Sequence, residues 1–167
     1  MKKSSLYFLL ASLFSIIMII VLRWQGKELI QPSTPSGILA LEFANTPEKL
    51  STVLSVWNKE MVRNNILLDF IFIAAYTWFF VVGVARSTAQ WTHRFMQQLG
   101  AAGIRMAFLA AILDITENIL MLQSINGYHS VSSLQLTWYC AAIKFMIVVI
   151  LLLFMIATVI RRLIIRN

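Results

Sequence analysis

The chain has 167 residues, of which 59% are hydrophobic and only 13% are charged. An ordinary soluble domain carries about 25% charged residues, so this composition excludes a freely soluble enzyme. The net charge is +7, but the Lys and Arg residues lie at the ends of apolar runs and form no basic block. This distribution favours anionic lipid headgroups over nucleic acid. We therefore expect membrane lipids as partners and no nucleic acid.

Four apolar runs are close to or longer than the about 20 residues that cross a bilayer. They lie at residues 6–22, 66–85, 106–122 and 137–160 and predict four membrane-spanning helices. The predicted fold class is all-α, an integral membrane four-helix bundle that forms one transmembrane domain over residues 1–167. The first run continues into Arg-Trp-Gln-Gly-Lys at 23–27 rather than into a small-residue cleavage site, so we interpret it as an uncleaved signal anchor.

The Lys and Arg residues of the short connecting segments predict the orientation of the bundle. They are Lys2, Lys3, Arg86, Arg94, Arg105, Arg161, Arg162 and Arg166. Segments rich in Lys and Arg stay in the cytoplasm, whereas the segment at 123–136 has no charged residue and is predicted to lie outside. The prediction is a multi-pass protein of the inner (plasma) membrane with both termini cytoplasmic.

The outer segment at residues 23–65 is too long for a bare connection between two helices of a bundle. Thr46 is a predicted N-cap, and Pro47 occupies the first position of the helix that follows. Apolar residues then recur at helical spacing, at Leu50, Val53, Leu54, Trp57 and Met61. This pattern predicts an amphipathic helix that runs through Met61 and lies on the outer surface of the membrane or across the top of the bundle.

A shorter apolar piece at residues 37–44 precedes that helix. We predict that it dips into the mouth of the bundle and carries Glu42 with it. Two interpretations of Glu42 stay open, a carboxylate on a lid and a solvated charge. In the third span, small residues such as Ala107, Ala110 and Ala111 allow close helix approach and predict that this span lies at the centre of the bundle.

Four charged residues lie inside the predicted spans, where each costs about 2.5–3.5 kcal/mol near the bilayer centre on an insertion scale. They are Asp69, Asp114, Glu117 and Lys144. At about 1.5 Å per residue, all four fall in the outer half of the membrane. The i, i+3, i+4 spacing puts Asp114, Glu117 and Asn118 on one stripe, and Asp69 shares a face with Tyr76, seven residues later.

The leading functional hypothesis is an outer-half pocket that binds or transports a cation, protons or an amphiphilic, lipid-like ligand. Its predicted binding residues are Asp69, Asp114, Glu117, Lys144, Asn118, Tyr76 and Glu42. For Asn118 and Tyr76, packing between helices is the stronger interpretation, and a structural ion pair is an equal alternative for Lys144. The sequence leaves open which carboxylate pairs with Lys144.

Two other function classes remain open. One is a lipid-modifying membrane enzyme that uses a carboxylate as general acid or base, with a metal site that includes His129 or Glu42. The other is a structural or accessory subunit, whose polar residues specify helix pairing. The sequence has no nucleotide-binding or metalloprotease motif, so we expect no cofactor and no metal. Because small bundles often act as oligomers, we also expect a homo-oligomer.

Three stretches carry a resemblance to known proteins. They are Leu-Glu-Phe-Ala at 41–44, Leu-Asp-Phe-Ile-Phe-Ile-Ala-Ala-Tyr at 68–76 and Leu-Asp-Ile-Thr-Glu-Asn at 113–118, together with Trp57. In these stretches the chain resembles a group of small uncharacterised multi-span bacterial membrane proteins. The resemblance covers residues 37–122 and implies one integral membrane domain. It implies no substrate, and it does not extend to Lys144.

Overall fold

The computed structural model describes residues 3–166, which contain six helices and no strand. The helices are α1 (Lys3–Gln25), α2 (Leu39–Glu42), α3 (Pro47–Ser55), α4 (Lys59–Thr88), α5 (Arg94–Ile125) and α6 (Val131–Arg166), with a 3₁₀ turn at Gly26–Leu29. Four of these helices, α1, α4, α5 and α6, are long and apolar enough to cross a membrane. The all-α helical bundle that the sequence predicts is therefore confirmed.

Helix α4 lies at the centre of the bundle, because it packs against α1, α5 and α6. The prediction that the third span is central was wrong: α5 packs mainly against α4 and α6. Small residues set how closely two helices approach, not how many neighbours a helix has. At Gly103, for example, an added Cβ would lie 3.1 Å from Val84 and 3.3 Å from Leu151, so this glycine brings α5 close to both partners.

The buried apolar side chains form two separate cores. The outer core joins the outer segment to the adjacent ends of α4, α5 and α6, and the bundle core lies deeper among α4, α5 and α6. The fully buried large residues of the outer core include Leu29, Leu50, Val62 and Ile66. Those of the bundle core include Val84 and Leu151.

The amphipathic outer helix begins as the sequence predicts but ends earlier. The Thr46 hydroxyl accepts a hydrogen bond from the Lys49 backbone N–H at 3.3 Å, and Pro47 opens the helix. The predicted end at Met61 was wrong, because α3 ends at Ser55. The Asn58 side chain accepts a hydrogen bond from the Glu60 N–H at 2.9 Å and begins α4, so Met61 lies in the first turn of α4.

Trp57 lies in the turn between α3 and α4 and is buried in the outer core. Its indole N–H lies 2.9 Å from the Leu29 carbonyl oxygen and 3.1 Å from the Thr34 hydroxyl, and both accept from it. The Thr34 hydroxyl in turn donates to the Leu29 carbonyl at 3.0 Å. These contacts fold the linker onto the start of α4, so the outer segment is a structured cap on the bundle.

The orientation of the bundle can be tested by labelling single cysteines from the outside of intact cells. In a variant that lacks Cys140, we expect a cysteine at the exposed Ser130 to react with a membrane-impermeant maleimide and one at the exposed Thr92 to be spared. The reason is that the Thr92 end of the bundle carries Arg86, Arg94 and Arg105, and segments rich in Lys and Arg are expected to stay in the cytoplasm. The reverse labelling pattern would contradict the predicted orientation of the bundle.

Candidate functional site

A layer of polar side chains lies between the outer core and the bundle core. On α4 it falls at Asp69, between Ile66 of the outer core and Ile73 of the bundle core. On α5 it falls between Ala111 and Met121, and on α6 between Leu134 and Ile147. Glu42, Asp114, Glu117 and Lys144 are buried in this layer, and Asp69 is half-buried. The buried charges must be compensated by one another or by a bound group.

Lys144 is the centre of this layer. Its Nζ lies 2.6 Å from Asp114 Oδ1, 3.0 Å from Glu117 Oε2 and 3.5 Å from Glu42 Oε2. The Lys144 side chain is 8% exposed and that of Glu117 is 0% exposed, so the pairs form away from water. Among the described residues, these three are the ion-pair partners of Lys144, and Asp69 is not one of them. The pairing that the sequence left open is thus with Asp114, Glu117 and Glu42.

Glu42 reaches Lys144 because α2 enters the mouth of the bundle, where it packs against α5 and α6. This confirms the predicted dip of residues 37–44. Phe43 fixes the segment from the α6 side, since its ring lies 6.4 Å from that of Trp138 and 6.2 Å from that of Phe145. The Glu42 carboxylate is buried rather than solvated. Burial raises the pKa of Glu42 above its usual value, although the Lys144 ammonium opposes that shift.

Asp69 belongs to the same layer but contacts an amide instead of the ammonium. Its Oδ2 accepts a hydrogen bond from Asn118 Nδ2 at 2.8 Å. Tyr76 donates its hydroxyl proton to Asp114 Oδ2 at 2.9 Å. Asn118 and Tyr76 therefore link α4 to α5, as the packing interpretation predicts, and they do so through carboxylates of the cluster. We name Glu42, Asp69, Asp114, Glu117 and Lys144 together the carboxylate cluster.

The carboxylate cluster contains four carboxyl groups and one ammonium group. If all were ionised, the cluster would carry three surplus negative charges between two apolar cores. Two carboxylate oxygens, Glu42 Oε2 and Glu117 Oε2, are buried and have no hydrogen-bond donor of suitable geometry within the described residues. Lys144 Nζ lies 3.0 Å from this Glu117 oxygen but donates its hydrogen bond to Oε1 of the same carboxylate, at 3.1 Å. A bound proton or an additional cation would reduce the surplus negative charge and would also give these oxygens a partner.

A cavity of about 570 Å³ opens beside the carboxylate cluster, between α1, α4, α5 and the outer segment. Its polar lining comes from Glu42, Asp69, Asn65, Asn118, Ser36 and Arg23. Its apolar lining comes from Leu22, Ile30, Ile38, Leu39, Ile66 and Met121. Asp69 and Glu42 are thus the two carboxylates of the cluster that a ligand in this cavity would meet.

The sequence interpretation missed Asn65, which lines the cavity and is buried. Its Nδ2 donates to the Leu22 carbonyl at 3.3 Å and also bonds to the Gln25 side chain, so it joins α4 to the end of α1. The signal in the sequence was its position four residues before Asp69, on the same face of the helix. Arg23 also lines the cavity and is exposed.

His129 does not take part in the carboxylate cluster. It lies exposed in the turn between α5 and α6 and lines a separate small cavity beside Leu50 and Ile125. Within residues 3–166, no three His, Cys, Asp or Glu side chains are arranged to hold a metal ion together. The alternative of a metal site that includes His129 or Glu42 is therefore not supported in the described part of the chain.

Comparisons with protein-family models, with curated proteins and with solved structures gave no significant match for this chain.

Proposed function

We propose that this protein binds an amphiphilic ligand with a cationic head group in the cavity beside the carboxylate cluster. The observation that carries the proposal is the position of Asp69. It is a carboxylate that lines a largely apolar cavity and has a neutral amide, not a cation, as its hydrogen-bond partner. Ionisable side chains at membrane depth mark ligand, ion or proton sites.

The charges around the cavity favour a cationic head group. Two carboxylates, Asp69 and Glu42, line it against one guanidinium, that of the exposed Arg23. The Lys144 ammonium does not line the cavity, because it is enclosed by Asp114, Glu117 and Glu42. An ammonium head group at Asp69 would supply the positive charge that this side of the cluster lacks, and the amides of Asn65 and Asn118 would add hydrogen bonds.

The apolar lining and the volume of the cavity favour an alkyl chain attached to that head group. Sites that bind small molecules are typically clefts or cavities of about 300–1,000 Å³, with a mostly apolar lining and a small number of specifically positioned polar groups. At about 570 Å³, this cavity is within that range. Leu22 of α1 and Ile66 of α4 line the cavity, so a chain can lie against both helices while its head group contacts Asp69.

The proposal predicts that Asp69→Asn separates ligand binding from stability. We expect native mass spectrometry in a mild nonionic detergent to show retention of dodecylammonium by the wild type. The Asp69→Asn variant should bind it about tenfold or more weakly, since a charge-assisted hydrogen bond contributes about 1.5–3 kcal/mol. The melting temperature should stay within a few degrees, because the Asn oxygen still accepts from Asn118.

Two comparisons make that experiment decisive. Glu60→Gln is the matched control, since Glu60 is an exposed carboxylate in the first turn of α4, outside the cavity, and it should not alter binding. Dodecanoate has the same chain length with the opposite charge and should not be retained. Equal retention of dodecanoate and dodecylammonium, or binding unchanged by Asp69→Asn, would refute the proposal.

A structural or accessory subunit is the second candidate function. The direct contacts of Lys144 with carboxylates from α2 and α5 support it, because they hold the outer segment onto the bundle. In a purely accessory protein Asp69 would be one more packing residue. Its neutralisation would then leave every ligand-binding signal unchanged.

We further propose an inner (plasma) membrane location with both termini cytoplasmic, contact with membrane lipids and assembly as a homo-oligomer. The basic segments support the location, and small bundles commonly act as oligomers. We also propose that the chain belongs to the group of small multi-span bacterial membrane proteins that it resembles. Glu42, Asp69, Asp114, Glu117 and Asn118 lie in the stretches that carry that resemblance, and Lys144 does not. The four carboxylates of the cluster, without its ammonium, are therefore the shared feature to test in that group.

A further inference from the structure

A second cavity lies near the opposite end of the bundle from the carboxylate cluster. Its volume is about 370 Å³, and it is bounded by the first half of α1 and by the last turns of α4 and α6. Phe8, Met155 and Val159 give it apolar walls, and Arg86 and Arg162 also line it. We name this cavity the arginine groove.

The two arginines of the groove have no acidic partner among residues 3–166. The sequence contains no Asp or Glu at residues 1–27, 70–113 or 118–167, which supply every helix segment at this end of the bundle. Consistently, neither Arg86 nor Arg162 forms an ion pair within residues 3–166. An anion that neutralises these two arginines would therefore have to come from outside the described chain.

The neighbouring residue Arg161 differs from these two arginines, because its guanidinium group has partners within the protein. Its guanidinium lies 4.1 Å from the centre of the Trp91 ring and donates to the Gln90 carbonyl oxygen at 3.2 Å. Arg86 has a looser aromatic contact, at 5.5 Å from the centre of the Phe8 ring. Arg162 is exposed. Arg161 is thus held against the protein, whereas Arg86 and Arg162 line the groove and form no ion pair within residues 3–166.

Gly83 shapes the floor of the groove. An added Cβ there would clash with the Met155 side chain and would lie 3.1 Å from the Phe8 ring. The glycine therefore lets side chains from α1 and α6 close over α4. Next to the lining residues Met155 and Val159 on α6, Ile156 and Ile160 are more than half exposed, so the adjoining surface is also apolar.

From this geometry we propose that the arginine groove binds one anionic phospholipid. Its phosphate lies between Arg86 and Arg162, and an acyl chain runs along Phe8, Met155 and Val159. Guanidinium groups bind phosphate through two parallel hydrogen bonds, and the apolar walls distinguish a lipid from a soluble anion. This proposal is independent of the cavity beside the carboxylate cluster, at the other end of the bundle.

The test uses the intact protein in a mild nonionic detergent and two lipids with matched chains, phosphatidylglycerol and phosphatidylcholine. Native mass spectrometry should show one phosphatidylglycerol retained in preference to phosphatidylcholine. The double variant Arg86→Gln/Arg162→Gln should bind phosphatidylglycerol about thirty-fold more weakly, from the usual contribution of each arginine near anionic lipid. Its binding of phosphatidylcholine should not change.

Two further variants separate a site from general surface charge. Arg94→Gln/Arg105→Gln removes the same charge from exposed positions of α5 outside the groove and should retain phosphatidylglycerol. Val159→Trp fills the groove at an exposed position without changing the charge and should release the lipid. Equal loss in the two double variants, full retention in Val159→Trp, or displacement of the lipid by inorganic phosphate alone would overturn the proposal.

Discussion

Replacing Lys144 with Met should destabilise the protein more than neutralising any single carboxylate of the cluster. We expect a loss of about 3–5 kcal/mol at mildly alkaline pH, the usual cost of removing one partner from a buried ion pair. The physical reason is that Lys144 is within 4 Å of Glu42, Asp114 and Glu117. Without its ammonium, the carboxylates face one another between two apolar cores. Thermal unfolding in detergent measures the effect.

Three comparisons make the Lys144→Met result specific. Lys59→Met is the control, since Lys59 is exposed at the start of α4 and should cost little. Acidification should recover part of the lost stability, because protonated carboxyl groups need no ammonium. Adding Glu117→Gln to Lys144→Met should also recover part of it, by removing one uncompensated charge. If the Lys144→Met variant has the same melting temperature as the wild type at every pH, Lys144 does not hold the cluster together.

The spans and the polar layer could be predicted because both leave local signals in the sequence. A charged residue within an apolar run is costly, so Asp114, Glu117 and Lys144 were conspicuous without any tertiary information. The 1.5 Å rise per residue then placed them at similar depth. The structure brings these three together, and the shared stripe of Asp114 and Glu117 on α5 is what lets one ammonium contact both.

The rest of the site depended on information that periodicity does not contain. Depth along a span does not fix how the helix is rotated, so the sequence could not show that Asp69 meets Asn118 rather than Lys144. Whether Glu42 is buried or solvated depended on how the four-residue helix α2 packs on α5 and α6. Trp57 continued the apolar spacing of α3, but the Asn58 cap ended that pattern and left the indole to bond to the linker.

The carboxylate cluster divides into two parts with different chemistry. On one side Lys144 is enclosed by three carboxylates, an arrangement that fixes α2 against α5 and α6. On the other side Asp69 lines the cavity with only an amide partner. Glu42 belongs to both parts, since it contacts Lys144 and also lines the cavity. A change in the charge of Glu42 should therefore alter both the stability of the fold and the binding of a ligand in the cavity.

The protonation of Glu42 should make the stability of the protein depend on pH. Burial raises the pKa of Glu42 in the folded protein, so the folded state holds a proton over a pH range in which the unfolded state has released it. Stability must then fall as the pH rises above the usual carboxyl pKa and through the raised one, by at most about 1.4 kcal/mol per pH unit for one proton. Thermal unfolding from mildly acidic to mildly alkaline pH measures this slope.

Glu42→Gln should flatten that pH dependence, because Gln keeps the size of the side chain and never ionises. Glu48→Gln is the matched control from the same outer segment. Glu48 is exposed, and its own backbone N–H and the Thr46 hydroxyl lower its pKa, so its contribution has the opposite sign: it is present above the usual pKa and lost as the pH falls. The loss of stability with rising pH should therefore persist in Glu48→Gln. If Glu42→Gln retains the full wild-type slope, the proton that stabilises the folded state is held elsewhere in the cluster.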